Sequence, residues 1–255
     1  MKKAIPFFLS QAITLFGSQI VAFAIVWYIT LETSSGFWVA MFSICSFVPQ
    51  FFMSFVGGVW ADRHSKKTLI IGADALIALL TLGMVLLLPK FNDGISLRVA
   101  LLVLVSLRSI ATGVQIPAVN SAIPQIVSED LLMKANGINS TMQSVANFAA
   151  PAAAGAVMSV MSLRASMLID VATAVAGIAI LSFIFIPHQL SSGNTTASDF
   201  KADVRDGIRY SIKNRSIGGI LLLYGLFIFL SIPAGFLANL FVSRYFGGTY
   251  TNLMW

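Results

Sequence analysis

GGVWADRHSKK, residues 57–67, sets an Asp-Arg pair and two lysines between two long apolar runs, and the length of those runs decides the fold. Residues 33–61 carry no charge on the amino side, and the run that follows, TLIIGADALIALLTLGMVLLL, holds a single acid, Asp74. A helix needs roughly 20 apolar residues to cross the ~30 Å hydrocarbon core of a bilayer. Working outward, further uncharged runs cover residues 4–31, 135–163, 171–198 and 216–243, and VALLVLVSLRSIATGVQIPAV is broken only by Arg108. With 57% hydrophobic and 10% charged residues, the composition is that of a membrane protein. Seven spans are expected, and they are helices because a spanning backbone must satisfy its own hydrogen bonds and these runs are too continuously apolar for barrel strands.

The start of the chain is read as the first span and not as a secretory signal, since its apolar part is about twice the usual length of a signal core. With the amino terminus in the cytoplasm, the inner segments collect eleven Lys and Arg residues against four outside, a positive-inside bias. The net charge of +6 therefore reflects topology and contact with anionic lipid, with no nucleic-acid footprint. The expected location is a bacterial inner membrane, multi-pass. The lone Cys45 excludes a disulfide framework and is read as a packing residue. No Gly-Lys-Ser/Thr phosphate loop is present, and His64 and His188 lie apart from any metal or nucleophile pattern, so neither an enzyme, a cofactor nor a bound metal is expected. A retinal-binding receptor is disfavoured because residues 216–243 contain no lysine.

The opening stretch is then a tight turn between helices two and three. Lys66 and Lys67 suit any inner loop, Asp62 could cap helix three or accept from an arginine, and Gly58 could let two helices approach closely. The pattern Gly58-x-x-x-Asp62-Arg63-x-x-Lys66-Lys67, placed after the second span, resembles the loop signature of the major facilitator superfamily of secondary transporters. TLFGSQIVAFAIVWYITLETSSG in helix one, VPQFFMSFVGGVWADR in helix two and QIPAVNSAIPQIVSEDLLMKANGINS at the helix four-to-five loop are similar to the drug-antiporter branch that contains the macrolide-efflux proteins. RSIATG, with Arg108 five residues before Gly113, resembles that family's fourth-helix arginine motif. ANFAAPAAAGAVMS resembles its helix-five antiporter motif: Pro151 and Gly155 match, while Ala150 and Ala154 stand where the family has glycine.

The resemblance implies an all-α polytopic fold. Residues 1–187 would form a six-helix bundle of 3+3 inverted repeats. A cytoplasmic linker would follow at 188–216, and residues 217–255 would supply the seventh helix and the start of a carboxy-terminal half whose remainder is missing, as in a truncated chain. Within the linker, Phe200, Val204, Ile208 and Ile212 recur every four residues, suiting a helix on the inner membrane surface or a solvated linker helix. The implied activity is proton- or other cation-driven efflux of lipophilic, macrolide-like drugs by alternating access, a basis for antibiotic resistance. The partners would be the bilayer, a lipophilic solute and the missing half. The alternatives are a facilitator for another amphipathic solute and a fragment without transport of its own. By the same resemblance, Asp62 and Arg63 would latch the inner gate.

Ionisable groups inside hydrocarbon cost at least ~2.5–3.5 kcal/mol on insertion scales, so Asp74, Arg108 and Asp170 carry the most functional information. Arg108 is read as a cavity or coupling group, or as a structural arginine held by carbonyls. Asp74 is expected either to pair with the loop arginines or to carry a proton. Asp170 is expected to reach outer water or to carry a proton. Gln19, Gln115, Asn120, Gln143 and Asn147 could line a cavity, although such groups also bind helices to one another.

Overall fold

The computed structural model describes residues 4–91, 94–186, 213–245 and residue 249. The expected linker helix at residues 200–212 lies outside the described residues. Among the described residues, seven long helices follow in chain order: α1 (Ile5–Thr33), α2 (Gly36–Arg63), α3 (Lys66–Leu87), α4 (Ile95–Ile126), α5 (Leu132–Val160), α6 (Leu163–Ser182) and α7 (Arg215–Tyr245). Short 3-10 turns at Leu88–Lys90 and Glu129–Leu131 follow α3 and precede α5, and no strand occurs among the described residues. At about 1.5 Å per residue, the 29 residues of α1 and the 32 of α4 exceed the thickness of the hydrocarbon core.

Among the described residues, five helices, α1 to α4 and α6, are long and apolar enough to cross a membrane by length and composition. α5 matches α1 in length yet falls short in hydropathy, because Asn136, Asn139, Ser140, Gln143, Ser144 and Asn147 recur at three- and four-residue intervals along it. Such spacing makes one polar stripe, and the opposite side supplies Ala146, Ala150, Ala154 and Met158 to the interior.

Connections are short and capped. Ser34 takes the left-handed conformation (φ 46°), and its N–H closes the end of α1 on the Thr30 carbonyl. The turn between α2 and α3 is only His64 and Ser65; Ser65 Oγ accepts from the Thr68 N–H at 3.4 Å and so caps α3. Asp62, expected as a possible cap, is instead an exposed residue in the last turn of α2. Three residues nearer the helix start, Ser65 has the short side chain and non-helical backbone that the cap requires.

α1 packs on α5 and α6, α4 packs on α2 and α3, and α3 packs on α6. Exchanging helices one, two and three with four, five and six carries this set of neighbours onto itself, the adjacency that a 3+3 repeat demands. α7 touches α1 and α2, where Arg244 Nη2 donates to the Ser34 carbonyl at 3.0 Å. Two buried apolar clusters fill the bundle. One, near the α2–α3 turn, contains Phe7, Ile70, Ala118, Ile123, Ala135 and Leu181; the other, toward the far end, contains Ile25, Trp27, Val85, Leu101 and Met167. Between them lies a polar band contributed by α1, α3, α4 and α6. Outside, Phe47, Phe51, Phe52 and Phe55 of α2 are exposed, as suits a surface covered by lipid or by other helices.

Helix α2 meets α4 at its closest approach. A Cβ on Gly57 would stand 2.5 Å from the Gly113 carbonyl oxygen, and one on Gly113 would stand 2.7 Å from Met53 Cβ. Pro117 explains the geometry: it has no N–H for the Gly113 carbonyl four residues earlier, so that carbonyl is released from its helical rung beside Gly57. Gly58 was the expected close-approach glycine, but nothing lies within 4 Å of its Cβ position. One residue is about 100° of rotation around a helix, which turns Gly58 off the contact that Gly57 makes.

Candidate functional site

The polar band is organised as two rungs between α3 and α4. Asp74 and Thr81 are seven residues apart on α3, and Arg108 and Gln115 are seven apart on α4. Seven residues are close to two turns, so each pair shares a face, and the antiparallel helices bring Thr81 to Arg108 and Asp74 to Gln115. The rungs are about 10 Å apart along the helix axes at 1.5 Å per residue.

The first rung is closed. Arg108 Nη1 donates to Thr81 Oγ1 and to Asp170 Oδ2 of α6, forming an ion pair with both side chains buried. Thr81 Oγ1 also donates to Asp170 Oδ2 at 3.1 Å, and Ser18 Oγ of α1 donates to Asp170 Oδ1 at 2.9 Å. Four helices therefore meet at one carboxylate, which is 0% exposed. The expected path of Asp170 to outer water is overturned: the guanidinium on α4 holds it inward. Arg108 is likewise neither open to a cavity nor bound to backbone carbonyls, since its recorded partners are side chains on α3 and α6.

The second rung is incomplete. Gln115 Nε2 donates to Asp74 Oδ1 at 2.5 Å, whereas Asp74 Oδ2 is buried without a hydrogen-bond partner. The expected pairing of Asp74 with the loop arginines is not made, because Asp74 lies eight residues beyond the start of α3, about 12 Å from it. Beside this band, Ser109 mends α2. The Gln50 N–H donates to Ser109 Oγ at 3.0 Å, and Ser109 Oγ donates to the Ser46 carbonyl, so a hydroxyl of α4 is inserted into the α2 rung next to Pro49.

At the turn, Lys66 is buried, while Asp62 and Arg63 are exposed. Lys67 Nζ donates to the Ser182 and Ile184 carbonyls at 2.7 and 2.8 Å. This lysine thus serves as a carboxy-terminal cap for α6, placing positive charge where the helix dipole is negative. In α5, Gly155 is buried and Pro151 half-buried, and the alanines at 150 and 154 are wholly buried against the α1 side of the core.

The polar neutrals divide. Gln115 belongs to the second rung. Gln19 Nε2 donates to Asn147 Oδ1 at 2.9 Å across α1 and α5, Asn139 Nδ2 donates to Asn120 Oδ1 at 3.4 Å across α5 and α4, and Gln143 is exposed between those two pairs on α5. Between the same two helices as the Gln19–Asn147 pair, α1 and α5, a groove of about 390 Å³ opens, lined by Phe16, Met142 and Val145 among others. The residues that sequence reasoning missed are Ser18, Thr81, Ser109 and Gly57, and it gave Gly113 no part in the contact with α2. The shared seven-residue spacing of Asp74 with Thr81 and of Arg108 with Gln115 was the signal for Thr81; the others carry none without the helix pairing.

The profile of the Major Facilitator Superfamily matches residues 7–254. The chain is similar to Macrolide efflux protein A of Streptococcus pyogenes, 31% identical over 243 residues, covering 95% of this chain and 59% of that protein. It is equally similar, 31% over 211 residues, to Macrolide efflux protein A of Enterococcus faecalis, covering 83% of this chain and 64% of that protein. An uncharacterized MFS-type transporter, YkuC of Bacillus subtilis strain 168, is 26% identical over 196 residues, covering 74% of this chain and 44% of that protein. The chain spans less than two thirds of the length of each of these curated relatives.

Proposed function

The chain belongs to the major facilitator superfamily, and from that premise we propose that it works in secondary active efflux of lipophilic, macrolide-like compounds across a bacterial inner membrane, driven by a proton gradient through alternating access. It is a multi-pass membrane protein, and its family is one of transporters, not enzymes. The observation that carries the substrate class is the α1–α5 groove: Phe16, Met142 and Val145 supply apolar and polarizable surface, Thr141 adds a hydroxyl, and the Gln19–Asn147 amide pair joins the same two helices. A large amphipathic solute needs this combination, much apolar area with a few polar groups to orient it. Asn139 and Gln143 continue the polar stripe along α5, and Asn120 of α4 meets Asn139.

In the same reading, the turn after α2 serves as the latch of the gate. Lys67 is committed to the end of α6, so the turn is fastened within this bundle, and the exposed Asp62 and Arg63 would be the groups that meet helix ends of the other half. Breaking and making those contacts would accompany rocking of the transporter halves.

The test is macrolide accumulation in a sensitive bacterial host expressing the chain, with and without a proton uncoupler. Lower accumulation that the uncoupler reverses is the expected result. Accumulation equal to that of the empty host overturns the reading, and lowered accumulation indifferent to the uncoupler overturns its proton-driven part.

A further inference from the structure

Two carboxylates, Asp74 and Asp170, and one guanidinium, Arg108, occupy the polar band between the apolar clusters. One acid must therefore lack a counter-charge there, and the hydrogen bonds identify which. Asp170 receives Arg108, Thr81 and Ser18, so both of its oxygens are engaged. Asp74 is 4% exposed and receives only Gln115, on Oδ1. Its Oδ2 is buried with no donor. A buried polar atom without a partner is rare in folded proteins and points to a ligand or a chemical role.

We propose that Asp74, held by Gln115 between α3 and α4, is the site at which this protein takes up and releases a proton, and that Arg108–Asp170 is a fixed brace that does not exchange one. The proposal rests on the transport reading for its purpose and on the two rungs for its location. A proton added to Oδ2 removes the buried negative charge that has no counter-charge, while Gln115 keeps Oδ1. Release returns the proton to water and leaves the carboxylate. A hard metal cation fits poorly, because such ions take several oxygen ligands and Gln115 presents its NH₂ group to the carboxylate. No cluster of three acidic, His or Cys side chains able to hold a metal occurs among the described residues.

The surroundings connect this site to movement. Gln115 lies between Gly113 and Pro117, in the turn of α4 whose rung the proline removes, and the same helix reaches into α2 through Ser109. Loading Asp74 therefore acts on a turn of α4 that lacks one backbone hydrogen bond. The charged groups on the helices packed against α3 are Arg98 and Arg108 of α4, Arg164 and Asp170 of α6, and Asp62 and Arg63 of α2. Arg98 and Arg164 stand in the first turn of their helices, at the end away from the α2–α3 turn; Asp62 and Arg63 are exposed at that turn.

The experiment is infrared difference spectroscopy of the full chain in liposomes during a pH titration, following the carboxylic-acid C=O band of a buried acid. The wild type should show a reversible band that Asp74→Asn abolishes and Asp74→Glu restores. The paired variant Arg108→Gln/Asp170→Asn, which removes both charges together, should retain it. A band that survives Asp74→Asn, a band lost in the paired variant while Asp74 is intact and the protein folded, or no band in the wild type overturns the assignment. So does a band that sodium suppresses at fixed pH. Macrolide efflux followed in parallel separates the two readings: efflux with a band that survives Asp74→Asn removes this site and leaves the transport reading. A band lost in Asp74→Asn in a protein without efflux leaves the site and removes the transport reading.

Discussion

Arg108 and Asp170 depend on each other more than either depends on its helix. Removing one charge of a buried pair leaves the other uncompensated, which costs about 3–5 kcal/mol, whereas removing both together costs much less. Asp170→Asn should therefore lower the unfolding temperature in detergent sharply, and Arg108→Gln/Asp170→Asn should recover most of the loss; additive losses would show that the pair contributes nothing as a pair. Lys67→Gln should cost about 0.3–1 kcal/mol, the usual scale for a cation at a helix carboxy terminus, and Lys67→Arg should preserve stability in the same melt. Asp62 makes the opposite case, because it is exposed at the end of α2 and builds none of the caps described. Asp62→Asn should leave insertion and thermal stability unchanged while reducing uncoupler-sensitive efflux; full efflux in that variant would end the latch proposal. At this scale the sequence identified all three interior charges by their cost in hydrocarbon. It misplaced two of their partners because Asp74 and Asp170 were read by depth along a helix, and depth carries no information about rotation toward a neighbour.

Neighbouring glycines on α2 behave as different residues because the helix turns between them. Gly57→Ala should separate α2 from α4, since the added carbon would overlap the Gly113 carbonyl, and backbone cannot step aside cheaply. Gly58→Ala should be tolerated or stabilising by about 0.5–1 kcal/mol, because its Cβ position is open and alanine restricts the unfolded chain. Thermal melts of the two variants side by side test this, and equal losses would refute the α2–α4 contact. Ser109 acts on the same pair of helices through hydrogen bonds. In Ser109→Ala the Gln50 N–H can return to the Ser46 carbonyl, so the cost should be only about 0.5–1.5 kcal/mol, visible mainly as altered hydrogen exchange at Gln50. Seven helical segments were legible because each is long, apolar and bounded by charge or by turn residues. Helix α5 was legible only as an uncharged run; that Asn147 of its polar stripe pairs with Gln19 while Ala146, Ala150 and Ala154 enter the interior is a distinction that requires knowing that α1 lies beside it.

For the molecule as a whole, orientation in the membrane is the property still carried by charge counting alone. In a Cys45→Ser background, His64→Cys should react with a membrane-impermeant maleimide in inverted vesicles and not in intact cells, because eleven of the Lys and Arg residues fall on that side of the chain. Reaction from outside would reverse the assigned topology and with it the direction proposed for transport. The arrangement of six helices as two exchangeable sets of three accounts for why α1 and α4 each bind a partner helix closely on two sides, and why α3 and α6 meet between them. By itself the sequence determined the class of solvent, the helical fold, the spans interrupted by charge and, through the pattern from Gly58 to Lys67, the superfamily. These follow from local quantities: apolar length, the energetic cost of an ion in hydrocarbon, and residue types at fixed spacing. Only the tertiary structure decided that Asp170 is braced by Arg108 while Asp74 keeps a bare oxygen, that Lys67 closes α6, and that Gly57 rather than Gly58 admits α4. Each of those depends on which faces of distant helices are turned toward one another, and a rotation of 100° per residue makes that facing invisible until the helices are packed.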